Sequence, residues 1–140
     1  MASREFKCIA DLYENPDLKR IFKGHKQSIV KVAVHPQMKN VASASKDSNT
    51  HVWQFKPDMR PYKFTKHTGP VLSVNYNPSG SHIITAGQDK NIIISKVHPD
   101  APSFQFKAHA GAIRQAIFSE DENYILSCSD DKSIKVWDVS

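Results

Sequence analysis

One pattern occurs three times in this chain at a fixed spacing of 42 residues. Phe22, Phe64 and Phe106 follow that spacing, as do His25, His67 and His109, and Asp47, Asp89 and Asp131. Ser43, Thr85 and Ser127 form a hydroxyl series in the same register, and Trp53 and Trp137 lie 84 apart with Ser95 at the midpoint. Five positions therefore keep step with no insertion or deletion. A period of this length marks tandem copies of one supersecondary unit, each too small to bury its own apolar face without a neighbour.

Inside each unit the hydrophobic period is that of strands. Residues 28–34 alternate and are β-branched, a turn follows at His35–Asn40, then come 41–45, a tight turn at Lys46–Asn49, and 50–55. A loop with Pro57 and Pro61 leads to a short apolar stretch ending at Phe64. The second unit repeats this with the turn Asn77-Pro78-Ser79-Gly80, and the third with Ser119–Glu122. Strands at such short intervals, separated by Asn/Asp/Ser/Gly clusters, predict an all-β fold. Residues 4–14 fit either a short helix or an extended arm.

At 140 residues, 39% hydrophobic and 24% charged, the chain has the balance of a core-forming globular protein. No apolar run approaches the ~18–20 residues of a membrane span. The charged opening, Met1 to Glu14, lacks the apolar stretch of a secretory signal. Two cysteines, Cys8 and Cys128, provide neither a disulfide framework nor a zinc quartet. Residues 1–70 hold 13 Lys/Arg against 6 Asp/Glu, and residues 71–140 hold 6 against 8. A basic half favours an acidic partner.

A unit of about 42 residues with four strands, a histidine near its start and Asp-x5-Trp near its end resembles the WD40 propeller blade. The expected fold is an all-β WD40 β-propeller, partial, with about three four-stranded blades of a probable seven. Its divisions are an N-terminal arm over 1–17 and a propeller segment over 18–140, with blades at about 22–63, 64–105 and 106–140. The resemblance implies a hydrogen-bonded chain from Asp to His to Ser/Thr to Trp: Asp47–His25–Ser43–Trp53 in the first unit and Asp131–His109–Ser127–Trp137 in the third. The second unit has Asp89, His67 and Thr85, but Ser95 replaces the tryptophan, so its blade is expected to be held less rigidly. Asp, His and Ser also suggest a catalytic triad, yet the set recurs in every unit, and a nucleophile is not needed three times. The histidines fall at no i,i+3 or i,i+4 spacing, so no metal site is expected. With no glycine-rich phosphate loop either, neither an enzyme nor a cofactor is expected.

Propellers close with about 4–8 blades. Here the sequence holds two complete units, three strands of a third, and a lone strand around Lys19–Phe22 that aligns with 61–64 and 103–106. An open arc exposes blade faces and strand edges. The expectation is that the missing blades come from the rest of a longer chain, or that a partner covers the faces.

The run Asn15–His25, the connection Val52–Phe64 with its Lys-Pro-x-Met-Arg, and the third-unit segments Phe106–His109 and Ser129–Trp137 resemble the centriolar "proteome of centriole" WD40 family. That resemblance implies a structural scaffold in centrioles and basal bodies, stabilising the microtubule wall and supporting cilium assembly. It also implies tubulin or other centriolar proteins as partners and a cytoplasmic, cytoskeletal location. A general WD40 adaptor in another cytosolic or nuclear complex is the alternative. In the propeller geometry one face collects Lys26, Lys46, Lys66, Lys90, Lys107 and Lys132 against Asp130, which makes it the candidate partner-binding face. The opposite face is net acidic. The basic pI of about 9.2 also raises RNA, but no aromatic stacking strip or RNA-recognition motif accompanies it.

Overall fold

The computed structural model describes residues 17–140 apart from Pro57 and Pro99. The N-terminal arm up to Pro16, including the 4–14 segment, and the Pro57 of the first connecting loop lie outside the described residues.

Among the described residues there are eleven strands and no helix, and no helix is therefore long and apolar enough to cross a membrane. They are β1 (Ile29–Val34), β2 (Asn40–Ser45), β3 (Thr50–Gln54), β4 (Tyr62–Phe64), β5 (Val71–Tyr76), β6 (His82–Gly87), β7 (Asn91–Lys96), β8 (Ser103–Lys107), β9 (Ile113–Phe118), β10 (Tyr124–Ser129) and β11 (Ile134–Asp138). They form three antiparallel meanders, β1-β2-β3-β4, β5-β6-β7-β8 and β9-β10-β11, here called blades 1, 2 and 3. The fold is all-β, a partial propeller of two four-stranded blades and one three-stranded blade. The strand read over Lys19–Phe22 does not form. Those residues lie in irregular structure, and among the described residues no strand pairs with them to complete a ladder.

The repeat extends to the backbone. Ladder irregularities fall at the start of the first strand of every blade, opposite Ser45, Gly87 and Ser129. Such a bulge bends the strand and raises its twist. Left-handed residues recur at the same spacing: Met38 (φ 55°), Gly80 (φ 76°) and Glu122 (φ 60°) in the first turns, and Ser48 (φ 69°), Lys90 (φ 70°) and Lys132 (φ 70°) in the second. Only Gly80 holds this conformation without steric cost. It is also the one against which His35 of blade 1 packs, where a Cβ would lie 2.4 Å from the ring Nε2.

The core lies between blades. Ala42, Ala44 and Val52 of blade 1 pack with Val71, Val74 and Ile83 of blade 2, while Ile84, Ala86 and Ile92 of blade 2 pack with Ile113, Ala116 and Ile125 of blade 3. Adjacent residues Ile83 and Ile84 serve opposite clusters because successive side chains leave a strand on opposite faces. Blade 2, covered on both faces, accordingly reads as near-continuous apolar strands. Polar links cross the junction of blades 2 and 3 as well: Asn75 Nδ2 donates to the Ala116 carbonyl at 2.8 Å, and the Ser79 N–H to Glu122 Oε1 at 2.7 Å.

Candidate functional site

Each blade carries a hydrogen-bonded spine built from its repeated residues. In blade 1, His25 Nδ1 lies 2.9 Å from Asp47 Oδ2, His25 Nε2 lies 2.7 Å from Ser43 Oγ, and Trp53 Nε1 donates to the same hydroxyl at 2.8 Å. In blade 3 the corresponding distances from Asp131 to His109 to Ser127 to Trp137 are 2.8, 2.8 and 3.0 Å. A carboxylate only accepts, so Nδ1 carries the imidazole proton. Nε2 then accepts from the serine hydroxyl, whose oxygen accepts from the indole. Every polar atom along the line has a partner, which is the condition for a buried network to stabilise.

Blade 2 keeps the first two links, His67 Nδ1 to Asp89 at 2.8 Å and His67 Nε2 to Thr85 Oγ1 at 2.9 Å, and ends there. Ser95 stands buried at the place of the indole. The expected looseness of blade 2 meets an opposing feature: β6 and β7 are enclosed by both neighbouring blades, whereas β11 is largely exposed.

The aspartates also fix the second turn. Asp47 accepts from the backbone N–H of Lys26 at 2.9 Å and of Asn49 at 3.0 Å. Burial pushes this carboxyl up, but the N–H of Lys26, the His25 ring and the N–H of Asn49 outweigh it and bring the pKa down to about 2. Asp131 is likewise held below the usual carboxylate range, chiefly by the Ser133 hydroxyl and also by the His109 ring, against the desolvation that raises it. The imidazoles of the spine are thus used as interior links. Among the described residues no cluster of three His, Cys, Asp or Glu is placed to hold a metal ion.

Sequence reasoning missed His51. The residue is 4% exposed, and its ring stacks on His25 at 4.0 Å between centroids and finds no hydrogen-bond partner for either nitrogen among the described residues. Burial lowers its pKa to about 4, with the nearby His25 adding to the effect. The repeat contained a signal: its 42-spaced counterparts are Ile93 and Lys135, and Ile93 is a buried core position.

The lysines gather at one end of the blades. The N–H groups of Lys46, Gln88 and Asp130 donate to the carbonyls of Ser28, Pro70 and Ala112, which fastens each second turn beside the entrance to its blade's first strand. That places Lys26 by Lys46, Lys66 and Lys107 by Lys90, and Lys132 in the corresponding turn of blade 3. All are exposed except Lys90, which is half-buried. Lys66 is drawn toward β8, its Nζ 2.6 Å from Ser103 Oγ. Asp130, the acid set against these lysines, is held bidentately by Arg114 at 2.8 and 2.7 Å, so it cancels none of them. The opposite end spends its acids on turns: Asp121 accepts from the N–H of Asn123, and Glu122 from that of Ser79.

The chain is 45% identical over 51 residues to POC1 centriolar protein homolog A of Xenopus tropicalis, covering 36% of this chain and 12% of that protein. It is 41% identical over 56 residues to POC1 centriolar protein homolog B of Xenopus laevis, covering 40% and 12%, and 41% identical over 51 residues to homolog B of Rattus norvegicus, covering 36% and 11%. The aligned part thus spans about an eighth of the length of these curated relatives. Residues 16–54, 60–94 and 101–138 each match the family described as WD domain, G-beta repeat. With most of its length in three such repeats and a hydrogen-bonded spine in each, this chain belongs to the WD40 repeat family.

Proposed function

We propose that this chain acts as a non-enzymatic structural scaffold of centrioles and basal bodies, in the cytoskeleton, stabilising the microtubule wall and supporting cilium assembly through contacts of its blade ends. The likeness to centriolar relatives supports the setting. The observation that carries the mode of contact is the lysine end, which presents Lys26, Lys46, Lys66, Lys90, Lys107 and Lys132 across the three blades while Asp130 is already paired with Arg114. A surface of one sign steers an oppositely charged partner and fixes its orientation, and exposed charges do so in a salt-dependent way. Tubulin surfaces are acidic, which makes tubulin or an acidic centriolar protein the partner of choice. Lys46 and Lys66 are exposed, Lys90 is half-buried and none of the three belongs to a spine, so replacing them is expected to leave the spines intact.

The test is the triple variant Lys46→Glu, Lys66→Glu, Lys90→Glu in the tagged chain. Recruitment to basal bodies is expected to fall several-fold, and binding to microtubules in sedimentation is expected to weaken as salt rises. Recruitment equal to that of the unsubstituted chain would remove the lysine end from the proposal.

A further inference from the structure

Arg114 and Asp130 form an ion pair that the repeat does not require. Arg114 is the second residue of β9, and its counterparts at the 42-residue spacing are Val30 and Leu72. Asp130 stands in the second turn of blade 3, where blades 1 and 2 carry Lys46 and Gln88. Neither member recurs, so the pair is no part of the shared architecture. An ion pair in solvent also adds little to stability. Both side chains are open to solvent, at 60% and 47% exposure. That openness belongs to the positions themselves. Blade 2 is covered on both faces, and there Leu72 is still only half-buried and Gln88 is exposed.

The pair leaves one edge of the guanidinium open. Arg114 Nε donates to Asp130 Oδ1 at 2.8 Å and Nη2 donates to Oδ2 at 2.7 Å, which occupies the side edge of the fork. Nη1 has no acceptor among the described residues, and with the second N–H of Nη2 it forms a further edge. Five N–H donors in a rigid plane allow an arginine to hold a carboxylate on each of two edges. Asp130 is itself fixed, because its backbone N–H donates to the Ala112 carbonyl at 2.9 Å. Lys132 lies two residues on in the same turn, so the oriented guanidinium belongs to the lysine end. The lysines there carry ammonium groups, which attract as point charges and set no plane of approach.

We propose that Arg114 is the specificity-determining residue of the lysine end. Its Nη1–Nη2 edge grips one carboxylate of an acidic protein segment bidentately, and Asp130 is the positioning residue that aims it. This rests on the reading of the lysine end as a docking surface, and it names the point at which the partner is held in register. The lysines draw the segment in, and Arg114 fixes its orientation. A guanidinium held in place before binding loses less freedom on binding. Asp130 therefore favours an acidic partner although it is itself acidic.

The test is stopped-flow binding of a fluorescein-labelled oligoglutamate peptide to the chain. Arg114→Lys keeps the charge and loses the fork, so dissociation should quicken about tenfold while association is unchanged. Asp130→Asn makes the surface more positive, yet dissociation should quicken several-fold, and Asp130→Glu should recover part of that loss. The triple variant Lys46→Glu, Lys66→Glu, Lys90→Glu should instead slow association in a salt-dependent way. If the triple variant slows association while Arg114→Lys and Asp130→Asn dissociate like the parent, this inference is overturned and the lysine end stands. A parent chain that binds no oligoglutamate removes both. Tighter binding by Asp130→Asn would make Asp130 a competitor for Arg114 and overturn its positioning role. A thymidine oligonucleotide bound more tightly than oligoglutamate would put a phosphate in place of the carboxylate and overturn the class of partner.

Discussion

Replacing Ser43 by alanine removes one oxygen and leaves two buried polar atoms without a partner. The Trp53 indole N–H loses its acceptor at 2.8 Å, and His25 Nε2 loses its donor at 2.7 Å. A lost hydrogen bond costs about 1 kcal/mol, and a polar atom left dry costs about 1–3 kcal/mol. Since Ser43 and Trp53 are both buried, water cannot replace the hydroxyl, and Ser43→Ala should destabilise by about 2–4 kcal/mol. Blade 2 supplies the control. Thr85 bonds His67 and no indole, so the isosteric Thr85→Val strands one nitrogen and should cost about 1–2 kcal/mol. Ser127→Ala falls between the two, because Trp137 is half-exposed and its N–H can reach water. The assay is urea denaturation at one fixed protein concentration, read as a shift in midpoint at constant slope; with a slope of about 2 kcal/mol/M the first variant moves the midpoint by about 1–2 M. Equal costs for Ser43→Ala and Thr85→Val would refute the reasoning, because the indole would then contribute nothing to the spine.

His51 carries a pH signature. Its folded pKa, about 4, lies below the unfolded value, so the unfolded state takes up the extra proton first. Stability should therefore fall as pH drops from about 6.5 toward 4. His51→Ile, copying Ile93, should reduce that slope and raise stability at neutral pH by about 1–2 kcal/mol; urea midpoints across this range test both. Asp47 acts lower on the scale: its depressed pKa stabilises the fold above about pH 4, and that contribution is lost as pH falls toward 2. Gly80→Ala should cost about 2–4 kcal/mol, from a left-handed alanine and from collision with His35. In a His35→Ala background the cost should drop to about 1–2 kcal/mol, and a double-mutant cycle that finds no coupling would refute the contact. Hydrogen exchange should protect residues 82–96 more than 124–138 in a single copy, the reverse of the order expected from the missing tryptophan alone, because burial on both faces outweighs one absent hydrogen bond.

Much of the architecture was legible because a repeat samples the same physics three times. The recurrence of Phe, His, hydroxyl, Asp and Trp marked the units, the period of two marked the strands, and the Asn, Asp, Ser and Gly clusters marked the turns. The partners that the WD40 resemblance implies, at separations of 22, 18 and 10 residues, lie within hydrogen-bond distance in blades 1 and 3. His51 escaped because nothing in a strand's alternation distinguishes an inward histidine with a partner from one without. Arg114 escaped because its effect depends on Asp130 lying across a turn.

The sequence alone determined local matters: strand, turn and the chemistry of each spine, all set by residues within one unit of one another. Tertiary structure decided what depends on having a neighbour. Residues 19–22 carry the pattern of a fourth strand, yet a strand requires a ladder partner, and among the described residues none pairs with them. Val32 and Val74 occupy the same place in the repeat, and one is bare while the other is buried, because burial belongs to the junction between blades and not to the residue.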